Sequence, residues 1–148
     1  MMSENAYEIE YSVEAEASPA FAWDWRTDVT KWDDPPAQFS LDGPFEAGSW
    51  GTTLVPGQEP RRWQIRAVTP DRSFTIEIPL DQAVLSFEWR LDAVSSRRTR
   101  LTQRITLSGP NAGACADQVR AAFGANLRDG MDRMARAMAA AAALAGTT

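Results

Sequence analysis

Residues 112–145 read AGACADQVRAAFGANLRDGMDRMARAMAAAAALA, and this stretch decides the fold because everything before it has the pattern of a sheet. Its apolar and small residues recur every three or four positions, which predicts one helix with a single stripe. An unbroken helix from Cys115 to Ala145 would be roughly 45 Å long and could cross a whole sheet. The stripe, which needs an apolar surface to cover it, consists of Val119, Phe123, Asn126, Leu127, Gly130, Met134 and Met138.

The composition predicts a single domain, residues 1–148, with a wide apolar interior. Six of the 148 residues are tryptophan. The net charge is -5 and Lys31 is the only lysine, which argues against a nucleic-acid surface. With no histidine and one cysteine, Cys115, the sequence excludes a Ser-His nucleophile, an internal disulfide and nearly all zinc sites. No leader-like segment or long apolar run is present, so we expect a cytoplasmic protein with no membrane span, metal or cofactor.

The first part of the chain predicts a strand followed by short helices. Residues 7–15 alternate between apolar and mostly acidic side chains, which is typical of a half-buried strand with a glutamate-rich outer face in water. Ser18-Pro19 has the pattern of a helix start, with an N-cap residue before a proline. Apolar residues then recur at helical spacing toward Trp32, namely Phe21, Trp25 and Val29. The prolines of Asp33-Asp34-Pro35-Pro36 are expected to end these helices.

Turn signals divide the middle of the chain into short strands. Gly43, Gly48 and Gly51 belong to no GxxxxGK[ST] or GxGxxG pattern, so we interpret them as turn and bulge residues, not as a phosphate loop. A two-residue turn at Pro70-Asp71 would pair Ala67 with Phe74, Ile65 with Ile76 and Trp63 with Ile78. A second at Asp81-Gln82 would pair Leu80 with Ala83, Ile78 with Leu85, Ile76 with Phe87 and Phe74 with Trp89.

The last hairpin, which turns near Ser95-Ser96, brings one polar residue to the inner face. Matching faces requires Gln103 to point inward among apolar neighbours on the same strand: Leu101, Ile105 and Leu107. The outward residues are Arg100, Thr102 and Arg104, which can pair with Glu88 across the strands. We therefore interpret the arginines of residues 97–104 as a solvated turn with surface ion pairs.

The order of elements resembles the START-like (SRPBCC) helix-grip superfamily, which includes polyketide cyclase/dehydrase-type and Bet v 1-like proteins. The residues that carry the resemblance are Ala17-Ser18-Pro19 with the aromatic helix through Thr27-Asp28-Val29 to Trp32, then residues 41–51 (LDGPFEAGSWG) and 100–110 (RLTQRITLSGP). The resemblance implies an α+β fold with two short helices after the first strand. A curved antiparallel sheet of six to seven strands would wrap around a long C-terminal helix.

The resemblance also implies a cavity between sheet and helix that holds lipids, polyketides, hormones or aromatic compounds. Only some members are enzymes, and they share no fixed catalytic motif, so no catalytic residue is carried over. The predicted function is binding of a small hydrophobic or aromatic molecule. The candidate ligand-binding residues all face one interior: Tyr11, Trp25, Trp32, Trp63, Ile76, Phe87, Trp89, Gln103, Phe123, Asn126, Leu127, Gly130 and Met134.

Three of these candidates distinguish a cavity from a filled core. Gly130 lies mid-helix, where glycine costs about 1 kcal/mol relative to alanine, and this suggests close approach or space. If Asn126 and Gln103 are buried, both need hydrogen-bond partners. The two side chains could bond to each other, to the backbone, to a water or to a ligand.

Two alternatives stay open. A cyclase, aromatase or dehydratase without metal or histidine could use Tyr11 together with an inward carboxylate or water. A protein-interaction module of the co-chaperone type would instead expose an apolar patch on the convex surface, whereas an enclosed cavity of several hundred Å³ favours binding or catalysis. The sequence also leaves a homodimer open.

Overall fold

The structure, a computed structural model, describes residues 6–32 and 36–145. Seven strands precede the C-terminal helices: β1 (Tyr7–Ala15), β2 (Gln38–Leu41), β3 (Trp50–Leu54), β4 (Arg61–Thr69), β5 (Ser73–Leu80), β6 (Ala83–Ser95) and β7 (Arg98–Ser108). The helices are α1 (Pro19–Arg26), a 3-10 turn (Val29–Lys31), α2 (Ala112–Val119), a π-helical segment (Arg120–Gly124) and α3 (Leu127–Leu144).

The strands form one antiparallel sheet in the order β1-β7-β6-β5-β4-β3-β2. The C-terminal helix α3 packs against β1, and α1 packs against β6. The buried core lies between the concave face of the sheet and these helices, with Ile65, Leu101, Leu107 and Met138 almost fully enclosed. The predicted α+β helix-grip architecture is therefore confirmed, with seven strands.

The short helices begin where the sequence predicted. The hydroxyl of Ser18 accepts a hydrogen bond from the backbone N–H of Phe21 at 3.2 Å, and Pro19 occupies the first turn of α1. The helix ends at Arg26, where the Thr27 hydroxyl donates to the Trp23 carbonyl at 2.8 Å. The predicted stop at residues 33–36 falls mostly outside the described residues, since only Pro36 of that group is described.

The predicted register of β5 with β6 is confirmed, and the residues predicted to point inward from β7 lie opposite inward residues of β6. Phe74 lies opposite Trp89, Ile76 opposite Phe87, and Gln103 opposite Trp89. Between β4 and β5 the predicted pairing of Ala67 with Phe74 is wrong, because Val68 faces Phe74 and a bulge between Ile65 and Ala67 absorbs the difference. Ile65 still meets Ile76 as expected.

The convex face neutralises its arginines with carboxylates from neighbouring strands. Arg100 contacts Glu14 at 3.0 Å and Arg104 contacts Glu8 at 2.9 Å, so β1 supplies the partners. Arg104 also lies opposite Glu88, as predicted. The glutamate row of β1 is thus half of an ion-pair ladder in addition to being a solvated surface.

The prediction of a single regular helix over residues 112–145 is wrong. The π-helical segment separates α2 from α3, and it contains Gly124. A Cβ at Gly124 would lie 2.9 Å from the Tyr7 hydroxyl oxygen, so the chain passes close to β1 at this point. The π segment takes up one extra residue in a turn, which rotates the face of everything after it by roughly one residue position.

The rotation changes which residues of α3 enter the core. The side chains that the helix buries are Leu127, Met131, Ala135, Met138 and Ala142. Gly130 and Met134, which were predicted on the central stripe, are only partly buried and lie at the border of that face. Part of the predicted stripe, including Met138, therefore enters the core, whereas Gly130 and Met134 lie in the wall of a space beside it.

Candidate functional site

A cavity of about 720 Å³ lies between the concave face of the sheet and the C-terminal helices. Its floor comes from β2 to β7, one side from α1 and the 3-10 turn, and its roof from the π segment and α3. Four of the six tryptophans line it: Trp25, Trp32, Trp63 and Trp89. The volume is within the range of small-molecule sites, roughly 300–1,000 Å³.

The structure gathers twelve of the thirteen predicted site residues around this one cavity. They are Trp25, Trp32, Trp63, Ile76, Phe87, Trp89, Gln103, Phe123, Asn126, Leu127, Gly130 and Met134. Their positions agree with the prediction, and their roles in binding stay predictions.

Tyr11 is not among the residues that line the cavity. It belongs to the edge strand β1, which α3 covers, and its hydroxyl donates to Asp132 Oδ1 at 3.0 Å. The guanidinium of Arg128 lies 5.7 Å from the centre of its ring. Tyr11 lies opposite Gln103 in the sheet and so faces the same concave side as the other candidates, but α3 covers it and it does not line the cavity. Alternation along a strand predicts the face but not how far from the sheet edge a helix lies, and a role of Tyr11 in binding stays a prediction.

Gly51 and Trp63 build one wall of the cavity together. A Cβ on Gly51 would lie 2.2 Å from the Trp63 ring, so only glycine lets the indole lie flat against β3. The indole N–H of Trp63 donates to the Thr53 hydroxyl at 3.0 Å, and Trp32 lies 5.4 Å from the Trp63 ring. Gly51 is therefore a strand residue that fixes an aromatic wall, not the turn residue that we predicted, whereas Gly43 and Gly48 do adopt positive φ angles in turns.

The polar candidates of the cavity do not pair with each other. Asn126 is exposed and donates to the Ala122 carbonyl at 3.2 Å, one turn earlier in its own segment. Gln103 is half-buried, and its side chain makes no hydrogen bond within residues 6–32 and 36–145. A Cβ on Gly130 would meet no atom within 4 Å, so the glycine borders open space.

Arg26 is a cavity residue that the sequence analysis missed. Its guanidinium carbon lies 4.0 Å from the centre of the Trp89 ring and 5.0 Å from that of Trp32. Its Nε is buried and has no hydrogen-bond partner in the described part of the chain. Burial lowers the pKa of Arg26 to about 9, so the group remains charged at neutral pH. The sequence holds no signal for this position, because an arginine at a helix end usually extends into water.

With this geometry in view, comparison with known proteins is informative. Residues 6–139 match the family described as "Polyketide cyclase / dehydrase and lipid transport". The chain belongs to this family. The match spans every strand and most of α3, so the family's fold and this cavity come from the same residues.

Solved structures with the same fold share little sequence with this polyketide cyclase/dehydrase family member. Truncated norcoclaurine synthase from Thalictrum flavum superimposes with a TM-score of 0.69 at 11% identity, covering 94% of each chain. An aromatase/cyclase from Streptomyces gives 0.65 at 19% identity, covering 92% of this chain and 93% of the other. A protein from Arthrobacter aurescens gives 0.64 at 19% identity, covering 90% and 86%. No curated protein matches the chain.

Within residues 6–32 and 36–145, no three acidic or cysteine side chains are arranged to hold a metal ion. Over the same residues, no helix is long and apolar enough to cross a membrane.

Proposed function

We propose that the protein binds a small hydrophobic or aromatic molecule in the cavity between the sheet and α3. The observation that carries the proposal is the combination of about 720 Å³ of space with walls of tryptophan and phenylalanine. Aromatic walls with a few polar groups are typical of sites that enclose most of an apolar ligand. The open space at Gly130 adds support, since a filled core would bring side chains into contact there.

The family description names both polyketide chemistry and lipid transport, so the ligand class we infer is a lipid, a polyketide or a similar apolar compound. A cytoplasmic location and the absence of nucleic-acid binding stay predictions from the sequence. A homodimer also stays open.

The second candidate is a cyclase or dehydratase that folds a polyketide in the same cavity. The family description and the aromatase/cyclase of similar fold support it. Tyr11 is not placed to act as its acid, because its hydroxyl donates to Asp132 outside the cavity lining. Incubation with polyketide mimics followed by mass spectrometry separates the candidates, since a cyclised or dehydrated product would favour the enzyme.

Tryptophan fluorescence tests the binding proposal directly. Titration with fatty acids, flavonoids and polyketide mimics should quench emission, because four tryptophans line the cavity. Trp63→Phe should reduce the ligand-dependent change. Trp50→Phe is the matched control, since Trp50 is exposed at 36% and does not line the cavity. A flat response across the panel would contradict the proposal.

A further inference from the structure

The cavity holds a positive charge that no carboxylate within residues 6–32 and 36–145 neutralises. Arg26 ends α1 and has its guanidinium between the rings of Trp89 and Trp32, at 4.0 Å and 5.0 Å. The indole N–H of Trp32 donates to the Arg26 carbonyl at 2.8 Å, which holds the stacking ring in place. No carboxylate of the described chain pairs with Arg26.

A buried charge without a counterion is costly, and proteins normally pair it. The stacking on two indoles compensates part of the cost, and the carbonyl end of α1 compensates another part. Neither interaction uses the hydrogen-bonding edge of the guanidinium. Nε is enclosed, but the terminal nitrogens make no hydrogen bond within the described residues, and Arg26 lines the cavity. The fork geometry of arginine matches a carboxylate through two parallel N–H···O bonds.

Gln103 offers a second donor on the same part of the floor. It lies directly opposite Trp89 in the sheet, so its side chain is beside the ring on which Arg26 stacks. Its amide has no hydrogen-bond partner within the described residues and lines the cavity. Among the described residues that line the cavity, Arg26, Lys31 and Arg61 are basic in addition to Arg133 and Asp129, although the whole chain carries -5.

We propose that the ligand of this cavity is an organic anion, in which an apolar body lies among the tryptophans and a carboxylate is bound by Arg26 and the amide of Gln103. This inference rests on the proposed function, because it adds a charge requirement to the same site. Both an aromatic acid and a fatty acid have this chemistry. The flat indole surfaces of Trp32, Trp63 and Trp89 favour the aromatic acid.

Calorimetric titration with two matched pairs of probes tests the charge requirement. The aromatic pair is 9-anthracenecarboxylate and 9-anthracenemethanol, and the aliphatic pair is dodecanoate and dodecanol. The acid should bind about 10- to 100-fold more tightly than its neutral partner. This is the gain in affinity expected from a charge-assisted hydrogen bond that is shielded from water. The aromatic acid should be the tighter of the two acids, and the reverse order would assign the site to fatty acids.

Three variants locate the effect. Arg26→Met should abolish the preference for the acid and leave binding of the neutral probe within about threefold, since it keeps an apolar side chain against Trp89. Arg26→Lys should retain part of the preference, because it keeps the charge without the fork. Arg62→Met is the matched control: Arg62 also stacks on a tryptophan, Trp50 at 5.6 Å, but on the convex side and paired with Asp42 at 2.9 Å.

A stability measurement distinguishes a ligand-binding arginine from a structural one. Without ligand, Arg26→Met should melt at a higher temperature than the wild type, because it removes a half-buried charge that has no counterion among the described residues. A lower melting temperature would mean that Arg26 holds the fold through its stacking, and would overturn the inference. Equal binding of acid and alcohol would overturn it while leaving the proposed function intact. If none of the four probes binds the wild type, both the charge requirement and the proposed function are contradicted.

Discussion

Arginine side chains on the two sides of the sheet have different kinds of partner. On the convex face six strand arginines form ion pairs with carboxylates, at distances between 2.6 and 3.5 Å: Arg62, Arg66, Arg90, Arg98, Arg100 and Arg104. On the concave side Arg26 stacks on Trp89, and no carboxylate of the described part of the chain pairs with it. Exposed ion pairs contribute little stability, whereas a buried unpaired charge opposes it. The ion pairs of the convex face are therefore ordinary surface interactions. The charge of Arg26 on the concave side is the one that requires a functional explanation.

The largest effect that we predict is on stability, at the floor of the concave face. Gly51→Ala should destabilise the protein by about 2–3 kcal/mol, because the new methyl group overlaps the ring of Trp63. Urea unfolding measures the change. Gly113→Ala is the control, since a Cβ at Gly113 in α2 meets no atom within 4 Å and should be neutral or stabilising. Equal effects at both positions would mean that Trp63 can move freely.

The next effect is on binding, at the roof. Gly130→Leu should weaken binding by at least about tenfold, because the side chain enters the space that we assign to the ligand. Stability should be unchanged or slightly higher, since leucine is a better helix former than glycine by about 0.5–1 kcal/mol. Gly130→Ala adds only a methyl group and should leave most of the affinity. Unaltered affinity in Gly130→Leu would place the ligand elsewhere.

A smaller effect is expected on the convex face. Arg100→Met removes an exposed ion pair with Glu14, so the free energy of unfolding should fall only slightly, and less at high salt. Ligand affinity should not change. Thermal melts at low and high ionic strength test the stability, and a change in affinity would contradict the separation of the two faces.

The smallest effect is a dependence on pH at the same ladder. Hydrogen bonds from Arg100 and then Arg98 hold the pKa of Glu14 below its ordinary value of 4.5. Its stabilising contribution is therefore present above pH 4.5 and is lost as the pH falls through the lowered pKa. The difference in melting temperature between the wild type and Glu14→Gln should shrink over that interval. A difference that stays constant would show that the ladder does not shift this pKa.

The register of β5 with β6 and most of the cavity wall could be predicted because alternation and turn length fix which side chains share a face. The turn at Asp81-Gln82 illustrates this, since it fixed the whole register of β5 with β6. The bulge beyond Ile65 could not be predicted, because an extra residue in one strand leaves the alternation on each side intact.

The break in the C-terminal helix and the position of the Arg26 side chain were missed for a different reason. The π segment is where the chain passes the hydroxyl of Tyr7 at Gly124, which is a contact between residues far apart in sequence. The direction of the Arg26 side chain likewise depends on Trp89, on another element. Local periodicity carries no information about either contact.

The glutamates of β1 have one more consequence, for contact between molecules. β1 is an edge strand of nine residues, and the other edge, β2, has only four. An exposed edge can template pairing with another chain, and charged side chains on it discourage this. Alternate positions of β1 carry Glu8, Glu10 and Glu14, so a second copy that approached this edge in an antiparallel orientation would bring carboxylates together. The residues that neutralise the arginines of β7 therefore also protect the long edge of the sheet against aggregation.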